Sequence, residues 1–174
     1  MLADTISAEK LKAIETYSWE YLDSRWRFLN MRARDGHVID GHGDLRADSV
    51  YLTDKGITII DCLEFSDALR WGDVASDVAC LAMDLDRIEH PELSAEFVRS
   101  YIEATNDAGL AILLPFYKCH RAVVRAKVEL TISHQLDIPV AERMASRDRA
   151  RRYLDQAFAY AGNAPNPAAN TAAC

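Results

Sequence analysis

The stretch at residues 40–61, DGHGDLRADSVYLTDKGITIID, constrains the fold of this chain more than any other part of it. A His-Gly-Asp-Leu tetrapeptide at residues 42–45 is followed by two short runs rich in β-branched residues, at residues 50–53 and 57–60. Between these runs lies Asp-Lys-Gly, a tripeptide that favours a turn. The pattern therefore predicts an aspartate in a tight loop, and then a β-hairpin whose second strand ends at another aspartate, Asp61.

This order of features resembles that of protein-kinase-like folds, which place a catalytic base beside a metal ligand. HGDL resembles the catalytic loop of aminoglycoside phosphotransferases and of their relatives, the choline and fructosamine kinases. Ile-Ile-Asp at residues 59–61 resembles the metal-binding segment that replaces Asp-Phe-Gly in those enzymes. DCLEF at residues 61–65 and WGDVASDVA at residues 71–79 resemble more closely a bacterial subgroup that is often fused to a P-loop ATPase domain. The resemblance runs from about Arg32 to about Val128.

The resemblance implies separate roles for Asp44 and Asp61. Asp44 would orient and deprotonate an acceptor hydroxyl, and Asp61 would hold Mg²⁺ on the phosphates of ATP or another nucleoside triphosphate. The implied reaction transfers the γ-phosphoryl group to the hydroxyl of a small molecule. In the competing interpretation, Asp44 is a turn residue that accepts backbone hydrogen bonds, and Asp61 caps a turn at the end of a strand.

Ser49 departs from the family pattern. Five residues after the catalytic base, the family usually has an asparagine that acts as the second metal ligand, and this chain has Ser49 instead. A serine hydroxyl ligates Mg²⁺ with a shorter reach, and the carboxylate of Asp48 is a further candidate ligand. Arg46 is a candidate for contacting the transferred phosphate, because a guanidinium matches phosphate oxygens bidentately. An ion pair between Arg46 and Asp48 is the equally weighted alternative.

Other residues have supporting roles by resemblance. His42 would brace the catalytic loop through hydrogen bonds to the backbone. Of Asp73 and Asp77, one would accept hydrogen bonds from the backbone of that loop, and Asp77 is the preferred candidate. Asp73 would alternatively cap a helix. Glu64 and Asp67 would face either a cationic acceptor or solvent, and solvent is slightly favoured.

The expected fold is α+β and mostly helical, a protein-kinase-like C-terminal lobe with a small β-hairpin that bears the catalytic and metal loops. Apolar spacing predicts a short strand at residues 38–39 and helices at residues 7–29, 73–87, 91–106, 112–136 and 140–161. Residues 1–161 would form this lobe. Residues 162–174, rich in Ala, Asn and Pro, would form a disordered tail.

The sequence lacks the features of an N-terminal kinase lobe. Only 43 residues precede Asp44, and they contain neither a Gly-rich loop nor a strand with a lysine paired to a helix glutamate. The P-loop signature GxxxxGK[ST] is missing as well. We therefore expect a C-terminal lobe alone, with an apolar surface that a second copy or a partner chain would cover.

Composition argues against several functional classes. The net charge of −7 and the pI near 5.2 disfavour a nucleic-acid partner and an anionic membrane surface. The sequence has no apolar run of membrane-spanning length and no signal pattern, so we expect a cytoplasmic location. None of the four cysteines has CxxC spacing, which favours reduced thiols over a metal cluster. Cys62 is expected to be a small buried hydrophobe at the end of a strand.

Three functional hypotheses follow from the sequence. The first is a phosphotransferase-like domain that is incomplete alone, and the presence of both Asp44 and Asp61 supports it. The second is a truncated or pseudokinase-like interaction module without catalysis, which the missing lobe and Ser49 support. The third, a metal-dependent phosphohydrolase, is the weakest, because no second cluster of His or Asp ligands completes a two-metal site.

Overall fold

The computed structural model describes Leu2 and residues 5–163. The helices are α1 (Ala8–Arg34), α2 (Asp67–Arg70), α3 (Ala75–Arg87), α4 (Pro91–Thr105), α5 (Leu110–His134) and α6 (Val140–Asn163). The strands are β1 (Val38–Asp40), β2 (Val50–Thr53), β3 (Gly56–Ile59) and β4 (Trp71–Asp73). The chain divides into two compact units: unit 1 comprises Met1–Trp26 with Lys118–Cys174, and unit 2 comprises Arg27–Tyr117.

The expectation of a mostly helical α+β fold is confirmed. All five predicted helices form, and the predicted hairpin pairs β2 with β3 in antiparallel register, with Val50 opposite Ile59 and Thr53 opposite Gly56. The last helix continues to Asn163, two residues into the predicted tail. The rest of the predicted tail lies outside the described residues.

Helix α1 continues to Arg34, beyond the predicted end at residue 29. The reason is Arg32, a charged residue at an interior position that apolar spacing does not reveal. Its Nε and Nη2 donate to Asp73 at 2.6 and 2.8 Å, and its Nη1 and Nη2 donate to Asp107 at 2.7 and 2.8 Å. The side chain of Arg32 is 2% exposed, so this pair of carboxylates replaces the water that the guanidinium gives up.

Strand β4 and the single-turn helix α2 were not predicted. β4 pairs with β1 in antiparallel register, and Ile39 lies opposite Gly72. A three-residue strand carries too little periodicity to be recognised from sequence, and its partner is more than thirty residues away. The pairing matters because β1 leads directly into the loop at residues 41–44, and β4 leads into α3.

The core of unit 2 is built around α3. Most residues of this helix are buried, including Ala75, Val78, Ala79, Leu81 and Met83. Buried alanines on this helix, including Ala82, let α4 approach closely, and the Ser94 hydroxyl donates to the Ala82 carbonyl at 2.9 Å. Helix α3 is therefore a fixed support whose remaining polar side chains point at the neighbouring loop.

Unit 1 is a helical unit with its own core. The buried apolar residues come from α1, α5 and α6: Ile14, Tyr17, Tyr21, Cys119, Ala122, Ala126, Leu130, Ala150, Tyr153, Leu154 and Ala157. Burial raises the pKa of the Cys119 thiol to about 12, and the thiol donates to the Ala157 carbonyl at 3.4 Å. Glu129, also buried, accepts from Arg149 Nε at 3.0 Å.

Within the part of the chain that the structure describes, no helix has the length and apolar character needed to cross a membrane.

We predict that Arg32→Met destabilises the protein by about 3–5 kcal/mol, because it leaves Asp73 and Asp107 buried without their cation. Equilibrium unfolding in urea measures this change. Arg34→Met, in the same turn but exposed, is the matched control and should change the free energy of unfolding by less than about 0.5 kcal/mol. A loss below about 1 kcal/mol in Arg32→Met would contradict the structural role assigned to the pair.

Asp107 gives the protein a defined response to acid. The hydrogen bond from Arg32 holds the pKa of the Asp107 carboxyl below its ordinary value of 3.8, against the opposing effect of burial. A carboxyl with a lowered folded-state pKa stabilises the fold above 3.8 and loses that contribution as the pH falls further. We therefore expect Asp107→Asn to be less stable than the original chain near neutral pH. The difference in the free energy of unfolding between the two proteins should become smaller when urea unfolding is repeated at about pH 3. A gap of equal size at both pH values would show that Asp107 acts without its charge.

Candidate active site

The loop at residues 41–44 is held by Asp77, the first polar side chain of α3 that faces it. One carboxylate oxygen of Asp77 accepts from the backbone N–H of His42 at 2.6 Å, and the other accepts from Gly43 at 2.9 Å. A side chain at Gly41 would collide with the same carboxylate. Gly43 has φ 83, and an added Cβ would lie 2.8 Å from Leu63 Cδ1. Both glycines are therefore required by the shape of this loop.

His42 joins the loop to the segment that follows β3. Its Nε2 lies 2.8 Å from the Ile60 carbonyl, and its Nδ1 lies 3.4 Å from the Asp44 N–H. A carbonyl only accepts and an N–H only donates, so both contacts together require the neutral tautomer with its proton on Nε2. The His42 carbonyl also accepts from Leu63 N at 3.0 Å. One residue thus fixes Asp44 relative to Asp61.

Asp44 lies at the end of this loop with its side chain 18% exposed. One carboxylate oxygen is 3.4 Å from Arg46 Nε. The other is 3.9 Å from the thiol of Cys80, a fully buried residue of α3. The carboxylate is therefore supported from below by α3 and remains open toward solvent.

The turn after Asp44 carries the remaining polar residues predicted for the site. Arg46 Nη1 is 2.8 Å from Asp48 Oδ2, and Asp48 is 62% exposed. Ser49 belongs to a 3₁₀ turn and is 2% exposed. Its carbonyl accepts from Ile60 N at 3.0 Å, which ties the turn to the end of the hairpin. The roles of Asp48 and Ser49 as metal ligands remain predictions.

Asp84 is a buried residue that the sequence analysis did not identify. One of its oxygens accepts from the backbone N–H of Ala47 at 3.0 Å, and the other accepts from Arg87 Nε at 2.7 Å. Asp77, Cys80 and Asp84 recur at helical spacing, so all three project from one face of α3 toward the loop. That spacing is a sequence signal, although a polar face directed at the interior is recognisable only once the loop is known to lie there.

Arg70 is a second residue that sequence reasoning missed. It donates to both oxygens of Asp40, at 2.7 and 3.1 Å, and to the Leu63 carbonyl at 3.2 Å. Its own carbonyl accepts from Gly41 N at 3.2 Å. These bonds lower the pKa of the Asp40 carboxyl and raise the pKa of the Arg70 guanidinium. Arg70 therefore links the end of β1, just before the loop, to the segment that follows Asp61.

Asp61 has an unusual backbone conformation. It follows β3 with φ 68, in the left-handed region that glycine, asparagine and aspartate tolerate best. A non-glycine residue held there stores about 1–3 kcal/mol of strain, and such residues cluster at functional sites. The conformation turns the chain sharply at the end of the strand, and the side chain of Asp61 lines the pocket described next.

One pocket of about 940 Å³ brings most of these residues together. Its lining includes Asp44, Arg46, Asp48, Ser49, Tyr51, Ile60, Asp61, Cys62, Leu63, Glu64 and Phe65. Four carboxylates and a single guanidinium face this space, so its charge favours a cation. Among Leu2 and residues 5–163, no group of three or more His, Cys, Asp or Glu side chains is arranged to hold a metal ion. Carboxylate oxygens nevertheless suit Mg²⁺, which uses one or two carboxylates together with phosphate oxygens and water.

Asp73 and Asp67 lie outside this pocket. Asp73 is paired with Arg32 and accepts from Ala75 N at 2.9 Å, which caps the start of α3. Asp67 is exposed and lies 2.9 Å from Arg70 Nη2. Cys62 corrects an expectation from the sequence: it is exposed and lines the pocket, because the sharp turn at Asp61 ends the strand and directs the following residue outward.

Comparison with known proteins agrees with the resemblance seen in the motifs. The family model described as "Phosphotransferase enzyme family" matches residues 3–113, more than half of the chain. This chain therefore belongs to the aminoglycoside phosphotransferase-like family of phosphotransferases.

The chain is similar to mycobacterial proteins that carry the name "uncharacterized protein". One from Mycobacterium tuberculosis (strain ATCC 25618 / H37Rv) and one from Mycobacterium bovis (strain ATCC BAA-935 / AF2122/97) are each 40% identical over 124 residues. The aligned part covers 71% of this chain and 25% of each relative, so the chain spans about a quarter of their length. No solved structure matches this chain significantly.

We predict that Asp77→Asn loosens the loop at residues 41–44. The substitution removes the charge and one of the two acceptor oxygens, and a hydrogen bond to a charged group contributes about 1.5–3 kcal/mol. The amides of His42 and Gly43 should then exchange with solvent deuterium roughly 10- to 100-fold faster, as measured by NMR or mass spectrometry. Asp54→Asn, in the exposed turn of the hairpin, is the control. Unchanged exchange in Asp77→Asn would refute this bracing role.

Proposed function

We propose that this chain carries the catalytic base and the metal ligand of a Mg²⁺- and ATP-dependent phosphotransferase. Residues 1–161 would correspond to the C-terminal lobe of a protein-kinase-like fold. The observation that supports this function best is that Asp44 and Asp61 line one pocket, and that His42 contacts both the backbone of Asp44 and the carbonyl of Ile60, the residue before Asp61. Another nucleoside triphosphate is compatible with the same chemistry.

In this proposal Asp44 accepts the proton of the acceptor hydroxyl as that oxygen attacks the γ-phosphorus. The bond from this phosphorus to the β,γ-bridging oxygen breaks, and the nucleoside diphosphate leaves. The bonds from Asp77 and His42 keep the loop in place, so no reorganisation is needed at the moment of transfer. Asp61 would hold Mg²⁺, and the ion would supply positive charge to the phosphates. Arg46 is close enough to Asp44 to contact the same phosphoryl group, as its distance of 3.4 Å from that carboxylate supports.

The acceptor is proposed to be a small molecule with a free hydroxyl. The carboxylates in the pocket attract a cationic molecule, and Glu64 is the residue of this set that lies outside the loop and the metal segment. Tyr51 and Phe65 are exposed at the same pocket and offer aromatic surface. An acceptor with an amine and an apolar portion would match both features.

A second lobe or chain is proposed to cover the hairpin. Every residue of the two hairpin strands except the half-buried Val50 is exposed, and Leu52 and Phe65 are 85% and 80% exposed. Exposed apolar side chains beside a binding pocket are typical of interaction surfaces. A cover at this position would exclude water from the phosphates and strengthen each electrostatic contact beneath it. A second copy of this chain and a separate partner are both compatible with this surface.

The alternative is an interaction module without catalysis. The buried side chain of Ser49, at the place of the family asparagine, favours it. In this reading Asp44 and Asp61 stabilise the loops only, and nucleotide does not bind.

Calorimetric titration of Mg-ATP into the purified chain tests the proposal. We expect a saturable heat of binding that Asp61→Ala abolishes, because the carboxylate that holds the metal is gone. Asp54→Ala removes an exposed carboxylate in the hairpin turn and should leave binding unchanged. Absence of binding at roughly millimolar nucleotide, an affinity of only about −4 kcal/mol, would favour the interaction module.

Asp44→Asn separates binding from chemistry in the same experiment. The amide keeps the shape of the side chain and cannot take a proton, so nucleotide should still bind. Phosphoryl transfer in an acceptor screen should fall by roughly 10²- to 10⁴-fold.

A further inference from the structure

We propose that this site operates with a single metal ion and that Arg46 supplies the second positive charge on the phosphates. The inference rests on the function proposed above and extends it to the positive charges that contact the phosphates of the nucleotide. Protein-kinase sites place two Mg²⁺ ions on the phosphates, one held by the aspartate of the metal segment and one by the catalytic-loop asparagine. The residues around the second position have a different chemistry in this chain.

Arg46 is a permanent cation placed between two carboxylates of the pocket. Its Nη1 is 2.8 Å from Asp48 Oδ2, and its Nε is 3.4 Å from Asp44 Oδ2. The Nε atom is buried and has no hydrogen-bond partner among the described residues. Because Nε lies near the Asp44 carboxylate without a hydrogen bond to it, the guanidinium keeps donor capacity for an anion that enters the pocket. The guanidinium is thus placed for a phosphate oxygen.

The neighbouring residues form a poor set of ligands for a second metal ion. Ser49 is 2% exposed, so its short side chain reaches little of the pocket. A divalent ion on Asp48 or Ser49 would also lie close to the guanidinium of Arg46 and be repelled by it.

The ion pair between Arg46 and Asp48 can be broken at little cost in free energy, so that Arg46 can bind a phosphate instead. Asp48 is 62% exposed, and a solvent-exposed ion pair contributes little to stability. A phosphate offers the guanidinium two charge-assisted hydrogen bonds in matching geometry. When nucleotide binds, Arg46 therefore changes its partner from Asp48 to a phosphate oxygen. The metal on Asp61 and the guanidinium then neutralise the phosphates from two sides.

Counting metal ions tests the inference independently of turnover. Mn²⁺ replaces Mg²⁺, and a non-hydrolysable ATP analogue is added to the full chain. Electron paramagnetic resonance counts the bound Mn²⁺ per nucleotide, and calorimetry gives the nucleotide affinity. The variants are Arg46→Gln and Asp48→Asn. Arg34→Gln and Asp54→Asn are charge-matched controls at exposed positions outside the pocket lining.

We expect one Mn²⁺ per bound nucleotide. Arg46→Gln should weaken nucleotide binding roughly 10- to 100-fold, the usual effect of losing a hydrogen bond to a charged group. Asp48→Asn should bind nucleotide as tightly as the original chain or more tightly, still with one Mn²⁺, because Arg46 is released in advance. Of the two variants, only Arg46→Gln should therefore weaken nucleotide binding.

Two Mn²⁺ per nucleotide, with Asp48→Asn reducing the count to one, would overturn this inference and leave the proposed function intact. Unchanged nucleotide affinity in a folded Arg46→Gln variant would also overturn it. If Arg46→Gln does not fold, the Asp48→Asn variant is sufficient for the test. Weaker nucleotide binding in Asp48→Asn would mean that Asp48 is a metal ligand and would overturn the inference. Absence of nucleotide-dependent Mn²⁺ binding in the original chain would reject this inference together with the proposed function.

Discussion

The guanidinium of Arg32 lies buried between the carboxylates of Asp73 and Asp107, and the positions of the site residues depend on it. Asp73 ends β4 and caps α3, so the ion pair fixes where α3 begins. Asp107 fixes the start of α5 in the same way, because it accepts from Leu110 N at 3.1 Å. Replacing such a network with apolar groups is often neutral for stability, whereas removing one partner is not. The effect of this network is geometric, because the buried guanidinium of Arg32 makes four hydrogen bonds in fixed directions. These bonds allow only one arrangement of α1, β4 and α3 within unit 2.

Helix α3 in turn positions the residues of the candidate site. Asp77 holds the backbone of the loop before Asp44, Cys80 lies beneath the Asp44 carboxylate, and Asp84 holds the turn that carries Arg46. A site supported by a buried helix is more rigid than a loop that supports itself, and phosphoryl transfer relies on preorganised charge. His42 and Arg70 extend the support to the segment after β3, so both candidate carboxylates share one frame.

The pocket is built at the expense of stability. Four carboxylates line it, Asp61 has a left-handed backbone conformation, and Arg46 Nε is buried without a hydrogen bond. Each of these is unfavourable in the free protein, and a metal ion with phosphates would relieve the first and the third. Like charges, backbone strain and an unmet donor in one cleft are features that cluster at functional sites. The exposed hairpin beside it leaves room for a covering lobe.

Local signals in the sequence were enough to predict the five long helices and the hairpin, because apolar spacing and turn residues act over a few positions. A short motif also pointed to Asp44, Arg46 and Asp61, and all three line one pocket. How these residues are supported became visible only in the folded chain. The pairing of β1 with β4, the burial of Arg32 and the roles of Asp84 and Arg70 depend on partners far apart in the chain. From sequence alone, a charged residue such as Arg32 is expected at the surface, because its buried partners are not known. Cys62 was expected to be buried, because the sharp turn at Asp61 was not known. Those contacts between distant residues are the part that local patterns do not encode.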